Sequence, residues 1–169
     1  MSNRTSASLV AVVETSLLGS NRSAGNADIG WLAADWPAPL GIHAGITLRG
    51  PGPSRSPYAH FNLALHVEDN ADTVMANRRV LREQLKLPAE PCWLEQVHST
   101  VVIEADDADS VPQADASFSH QPGSVCVVMT ADCLPILFTN RDGSSIAAAH
   151  AGWRGLADGV LEKTLSSGG

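Results

Sequence analysis

Between Ser124 and Gly155 the chain reads Ser124-Val-Cys-Val-Val-Met129, Thr130-Ala-Asp-Cys133, Leu134-Pro-Ile-Leu-Phe-Thr139, Asn140-Arg-Asp-Gly143, Ser144, Ser145-Ile-Ala-Ala-Ala149 and His150-Ala-Gly-Trp-Arg-Gly155. The three apolar runs 124–129, 134–139 and 145–149 are short and rich in small or branched residues, the pattern of strands buried on both faces. Asn140 to Gly143 supplies the turn between the last two. After Gly152 the periodic stretch Gly155 to Leu165 predicts a helix entered directly from a strand, with Leu156, Val160 and Leu165 as its apolar stripe.

Upstream of this block the organisation loosens. Asp69 and Asn70 are suitable N-caps for a helix running to about Leu87, closed by Pro88, with Val74, Leu81 and Leu85 on its apolar face. Arg78, Arg79, Arg82 and Lys86 are assigned to its solvated side. Trp93–Val97 and Val101–Ile103 read as extended segments flanking His98. The stretch Arg49-Gly-Pro-Gly-Pro-Ser-Arg-Ser56 excludes a regular helix or central strand and is expected to be a loop. Residues 1–28, rich in Ser, Ala, Gly and Asn, are expected to form a flexible extension, leaving residues 29–169 as the folded domain. The apolar run from Ala7 to Leu18 is too short to span a bilayer and is interrupted by Glu14.

A chain of 169 residues and 17.7 kDa has room for one substantial core. Its 44% hydrophobic and 17% charged residues are those of a globular protein. A formal net charge of -7 argues against a broad grip on nucleic acid or an anionic membrane and leaves room for one local basic pocket. Three cysteines without a C-x-x-C pair indicate neither a disulfide framework nor a local zinc knuckle, so a reducing, cytoplasmic setting is expected.

Histidines occur at 43, 60, 66, 98, 120 and 150, and position selects among them. His150 stands where an apolar strand ends and a helix begins, a place where α/β proteins bind ligands. Cys133 follows Thr130-Ala-Asp132 at the end of another strand, and His98 lies between two extended segments. Cysteine and histidine are ligands that zinc prefers, and three protein ligands leave an open fourth position. The spacing of His98, Cys133 and His150 matches no local zinc pattern. Cys133 also reads as a thiolate nucleophile beside a histidine base, or as a small buried hydrophobe, which is the reading given to Cys92 and Cys126. Asp115 and Asp132 are candidates for orienting an imidazole, with strand-end capping as the alternative.

The segments Trp93-Leu-Glu-Gln-Val-His98, Ala114-Asp-Ala116, Val128-Met-Thr-Ala-Asp-Cys-Leu-Pro135 and Ala147-Ala-Ala-His-Ala-Gly-Trp-Arg-Gly155 resemble the bacterial laccase-domain family. That family is also called multicopper polyphenol oxidoreductase, and its members are mostly described as purine nucleoside phosphorylases. Asn62-Leu63 and Asn77-Arg78 match it too, and the resemblance runs from Pro37 to Leu165. It implies an α/β (α+β) fold, a layered mixed β-sheet core flanked by helices similar to laccase-domain and cysteine-hydrolase-like proteins. It also implies a metal site of His98, Cys133 and His150, which would be the catalytic residues as well, with Arg49, Asn62 and Arg154 as substrate contacts. Arg154 has a second reading, pairing with Asp158 on the same helix.

This chain departs from the family in having Ser99 where a glycine is usual, and Gly-Pro-Gly-Pro-Ser after Arg49 in place of a Gly-Gly-Val-Ser type turn. Family chains also continue past the position of Gly169, which implies that the C-terminal part of the fold is missing here and that an apolar face is exposed. The favoured expectation is a zinc enzyme, monomeric or a weak homo-oligomer, that takes a nucleoside and phosphate. It would phosphorolyse adenosine, inosine and methylthioadenosine and deaminate adenosine. The alternatives are a copper polyphenol oxidase, a cysteine hydrolase editing peptidoglycan precursors, and an inactive fragment.

Overall fold

Alternation of side chains along the strands gives each sheet two apolar faces, and the chain uses both. The computed structural model describes residues 9–15, 29–58, 60–107 and 110–169. The strands are β1 (Leu9–Thr15), β2 (Trp31–Ala33), β3 (Ile42–Thr47), β4 (Val102–Glu104), β5 (Ala116–Ser119), β6 (Val125–Thr130), β7 (Leu134–Thr139) and β8 (Ile146–Ala151). The helices are α1 (Ala71–Gln84), α2 (Trp153–Asp158) and α3 (Val160–Gly168).

Two four-stranded sheets form, one in the order β2-β3-β1-β6 and one in the order β4-β5-β8-β7. The first is antiparallel throughout; the second is mixed, because β4 runs parallel to β5. Val12, Val125, Val127 and Met129 face Leu81 of α1 together with Phe61, Leu63 and Trp93. Their neighbours in sequence, Val13, Cys126 and Val128, point the other way and pack against Ile146 and Ala148 of the second sheet. On the far side of that sheet Ala116, Ala149 and Ala151 meet Val160 of α3. The C-terminal end of that helix approaches closely: a Cβ on Gly168 would stand 3.2 Å from Phe118. The layers therefore run helix, sheet, sheet, helix, the layered mixed β core that the resemblance implies.

Several expectations are corrected. Leu9–Thr15 lies inside the segment assigned to a flexible extension, yet β1 sits between β3 and β6 with Val12 and Val13 buried. The folded unit thus includes β1, while residues 1–8 and 16–28 of that expectation lie outside the described residues. The predicted helix 155–165 is two helices, broken where Gly159 adopts φ 88°. Val160 is buried, whereas Leu156 and Leu165 are exposed, so no single stripe forms. β6 and β8 are buried along their whole length, but β7 is an edge strand and only partly covered. Residues 93–97 form an isolated bridge at Glu95 rather than a strand.

Helix α1 begins as expected, with Asn70 Oδ1 accepting from Thr73 N at 3.0 Å. It ends early because Lys86 takes φ 50°, and the N–H groups of Lys86 and Leu87 close on Glu83 and Arg82 carbonyls. No helix among the described residues is long and apolar enough to cross a membrane.

Candidate functional site

The mixed sheet ends in a buried carboxylate that organises everything around it. Asp115, fully buried just before β5, accepts N–H groups from Val97 (3.2 Å), His98 (3.0 Å) and Ser99 (2.6 Å), and the Ser99 hydroxyl at 2.8 Å. Three successive N–H groups converge on one anion because His98 turns the chain with φ 61°. The same carboxylate meets His150 Nδ1 at 2.8 Å, and the Asp115 carbonyl accepts the His150 N–H at 2.7 Å. Burial pushes the Asp115 carboxyl up, but hydrogen bonds from His150, Ser99 and Val97 outweigh it and hold it at about 2. Of the two roles open to Asp115 from sequence, orienting an imidazole is the one the geometry shows.

With Nδ1 engaged by Asp115, Nε2 is the nitrogen that His150 can offer to a ligand. His98 packs edge-on against it with ring centroids 4.8 Å apart, and Cys133 Sγ lies 3.9 Å from His98 Nε2. One ligating atom from each of His98, Cys133 and His150 falls within 4.8 Å of the others, in a graded setting: His98 exposed, Cys133 half-buried, His150 buried. Gly152 leaves the space between them, since a Cβ there would stand 2.9 Å from His98 Cδ2 and 3.1 Å from Cys133 Sγ. Two imidazoles and a thiol in this arrangement are a donor set that fits one zinc ion, with the carboxylate–histidine support such ligands usually have. Burial and the neighbouring Asp132 push the Cys133 thiol up, which disfavours a free thiolate. Cys92 and Cys126 face each other across a bridge, their thiols raised to about 11 and about 12 by burial.

The remaining sequence candidates lie apart from this cluster's contacts. Arg49 is exposed in its loop. Arg154 is exposed on α2, its guanidinium 5.2 Å over the Trp153 ring, and it forms no ion pair with Asp158 among the described residues. Asn62 is fully buried, and its side chain bonds Ala64 N, Ala64 O and Asp69 Oδ2, all at 3.1 Å. Arg78, assigned to the solvated side of α1, is instead 7% exposed; it stacks on Trp93 at 3.7 Å and donates Nε to Leu63 O at 2.9 Å. The reason is tertiary: an aromatic face and a backbone carbonyl far away in sequence receive it. Sequence reasoning also passed over Gly152, although a glycine directly after a strand-end histidine is a signal for close approach.

The fold and the site together define a family. The model of the multi-copper polyphenol oxidoreductase laccase family matches residues 43–167, and the chain belongs to that family. It is 53% identical over 137 residues to a Pseudomonas aeruginosa protein named purine nucleoside phosphorylase PA4543, covering 81% of this chain and 55% of that one. It is 50% identical over 136 residues to Escherichia coli purine nucleoside phosphorylase YfiH, covering 80% and 56%. Among solved structures, Neisseria meningitidis NMB0706 superposes with a TM-score of 0.77 at 48% identity, over 82% of this chain and 57% of that one. Geobacillus stearothermophilus YlmD does so at 0.71 and 34% identity, over 83% and 54%. The chain thus spans about half the length of the curated relatives it matches.

Proposed function

We propose that this chain carries the metal-binding half of a cytoplasmic purine nucleoside phosphorylase that acts on adenosine, inosine and methylthioadenosine and also deaminates adenosine. The carrying observation is the convergence of His98, Cys133 and His150 around the space left by Gly152, in a chain similar to proteins of that name. A zinc ion held by these three residues would act as a Lewis acid on an oxygen of phosphate or water. The chain's own residues prepare the place. Asp115 holds the His150 ring through Nδ1 and clamps the backbone of His98. Arg49 and Arg154 supply exposed guanidinium groups for an anion. Asn62, its amide bonded to Ala64 and Asp69, shapes the turn before α1.

In phosphorolysis the glycosidic C–N bond breaks and a C–O bond to phosphate forms, giving sugar 1-phosphate and a protonated free base. Deamination replaces the adenine amino group by oxygen from water and releases ammonia. Three ligating side chains are one ion's worth, which does not suit the several coppers of laccase chemistry. Free base should therefore appear from adenosine and inosine only when phosphate is supplied, and ammonia from adenosine without it. A zinc-loaded chain that does neither, yet hydrolyses an amide through Cys133, would overturn this reading.

A further inference from the structure

We infer that Gln96 is a positioning residue: its side-chain amide takes the place of a paired strand at the open edge of β6 and so sets how far Cys133 stands from His98. That this spacing governs metal binding rests on the metal-site reading above; the spacing itself does not.

In its sheet β6 has β1 on one side only. Along the other edge the segment 92–98 starts out as a neighbour, with Cys92 N donating to Val125 O at 3.0 Å and an isolated parallel bridge at Cys126. The backbone then turns to the opposite neighbour: Glu95 N donates to Pro112 O at 2.9 Å and Glu95 O accepts Ala114 N at 3.2 Å. That path brings the N–H groups of 97–99 onto Asp115 and leaves Met129 of β6 to a side chain. Gln96 reaches back to fill the place. Its Oε1 accepts the Met129 N–H at 2.7 Å, and its Nε2 donates to Met129 O at 2.8 Å. One carbonyl and one N–H so disposed are what the backbone of a neighbouring strand would offer.

The clasp joins the two halves of the metal-binding cluster. Gln96 stands two residues before His98, and Met129 stands four before Cys133. Thr130 ends β6, the bend 131–133 follows, and Leu134 opens β7 opposite Ala151 of the other sheet. The bend that carries Cys133 therefore hangs between a β6 end fixed on its open edge by Gln96 and a β7 start fixed by β8. His98 belongs to the second sheet through Asp115, so the Gln96 amide is a direct link from the histidine turn to the strand that feeds the cysteine. Met129 is 5% exposed, so loss of the amide leaves a buried N–H and carbonyl that the end of β6 must move to satisfy. The 3.9 Å between His98 Nε2 and Cys133 Sγ would not survive that movement.

The test compares the purified full chain with Gln96→Met, which keeps length and volume but neither hydrogen bond, both metal-free and during cobalt(II) titration. In the metal-free wild type, nuclear Overhauser contacts should connect the His98 ring to the His150 ring and to the Cys133 β-protons. Gln96→Met should keep the first, whose partners Asp115 braces, and lose the second. Cobalt(II) affinity should fall on the order of tenfold, with a weaker thiolate-to-cobalt charge-transfer band at saturation. Gln96→Asn, one methylene shorter, can serve only one of the two Met129 groups and should fall between; it keeps the test decisive if Gln96→Met does not fold. A purely structural role would lower the urea midpoint and leave the Cys133 contact and the cobalt affinity as in wild type, and that result overturns the proposal. Wild type that takes up no cobalt, with the contrast in contacts intact, removes the metal-site reading and keeps Gln96 as the residue that spaces His98 and Cys133. Equal cobalt uptake in all three proteins does the reverse.

Discussion

The histidine side and the cysteine side of the site are built differently. His98 and His150 are tied to one buried carboxylate through backbone and ring at 3.0 and 2.8 Å. Cys133 stands in the bend after β6, with His98 Nε2 and Asp132 Oδ1 at 3.9 and 3.8 Å. One side is braced by a buried carboxylate; the other has no such brace. A site built this way holds the His150 ring and the His98 backbone before any metal binds, and would leave the thiol to adjust to the ion.

Removing the brace should have the largest effect. Asp115→Ala leaves a buried imidazole and three N–H groups without their acceptor, and should cost about 3–5 kcal/mol in urea unfolding. In the fraction that folds, metal affinity should fall about 10–100-fold by chelator competition. Gly152→Ala comes next. Its Cβ would meet His98 Cδ2 at 2.9 Å and Cys133 Sγ at 3.1 Å, which should cost about 1–3 kcal/mol and lower metal retention. Ser99→Gly removes the 2.8 Å hydroxyl bond to Asp115 and the hydroxyl that accepts the Val101 N–H at 3.2 Å, a loss of about 1–2 kcal/mol, while the 2.6 Å backbone bond to Asp115 remains.

Cys133→Ala should be the mildest for the fold, within about 0.5 kcal/mol of wild type in the metal-free chain. A cost like that of Asp115→Ala would erase the contrast between the two sides. In the metal-free protein at pH 8 a thiol reagent should modify Cys133 first, though more slowly than a solvent-exposed thiol because burial and Asp132 raise it, and Cys92 and Cys126 only as the chain unfolds. The latter two are held at about 11 and about 12, above the ordinary 9.0. Their contribution to stability is therefore intact below pH 9 and lost as pH rises toward those values. Cys126→Ala should flatten that alkaline decline.

Where local pattern and tertiary burial agree, the sequence was readable. β6 and β8 are apolar on both faces and buried on both, and Asn70 caps α1 where expected. β1 was not readable, because Leu9–Thr15 carries Glu14 and lies among Ser, Gly and Asn; its strand character comes from β3 and β6, distant in sequence. Arg78 was misread for the same reason, since a helical arginine is normally solvated and only Trp93 and the Leu63 carbonyl make its burial tolerable. The break at Gly159 was legible in principle, as a glycine in mid-helix invites the left-handed turn that it takes. His98, Cys133 and His150 were reached through family resemblance more than through spacing. They meet because Asp115, before β5, faces both the 97–99 turn and the end of β8.

The central claim is that these three side chains hold one metal ion, and elemental analysis of the purified chain tests it most directly. About one equivalent of zinc per chain is expected, lost in His98→Ala, His150→Ala and Cys133→Ala and kept in Cys92→Ala and Cys126→Ala. Several equivalents of copper, or full zinc occupancy in Cys133→Ala, would contradict it.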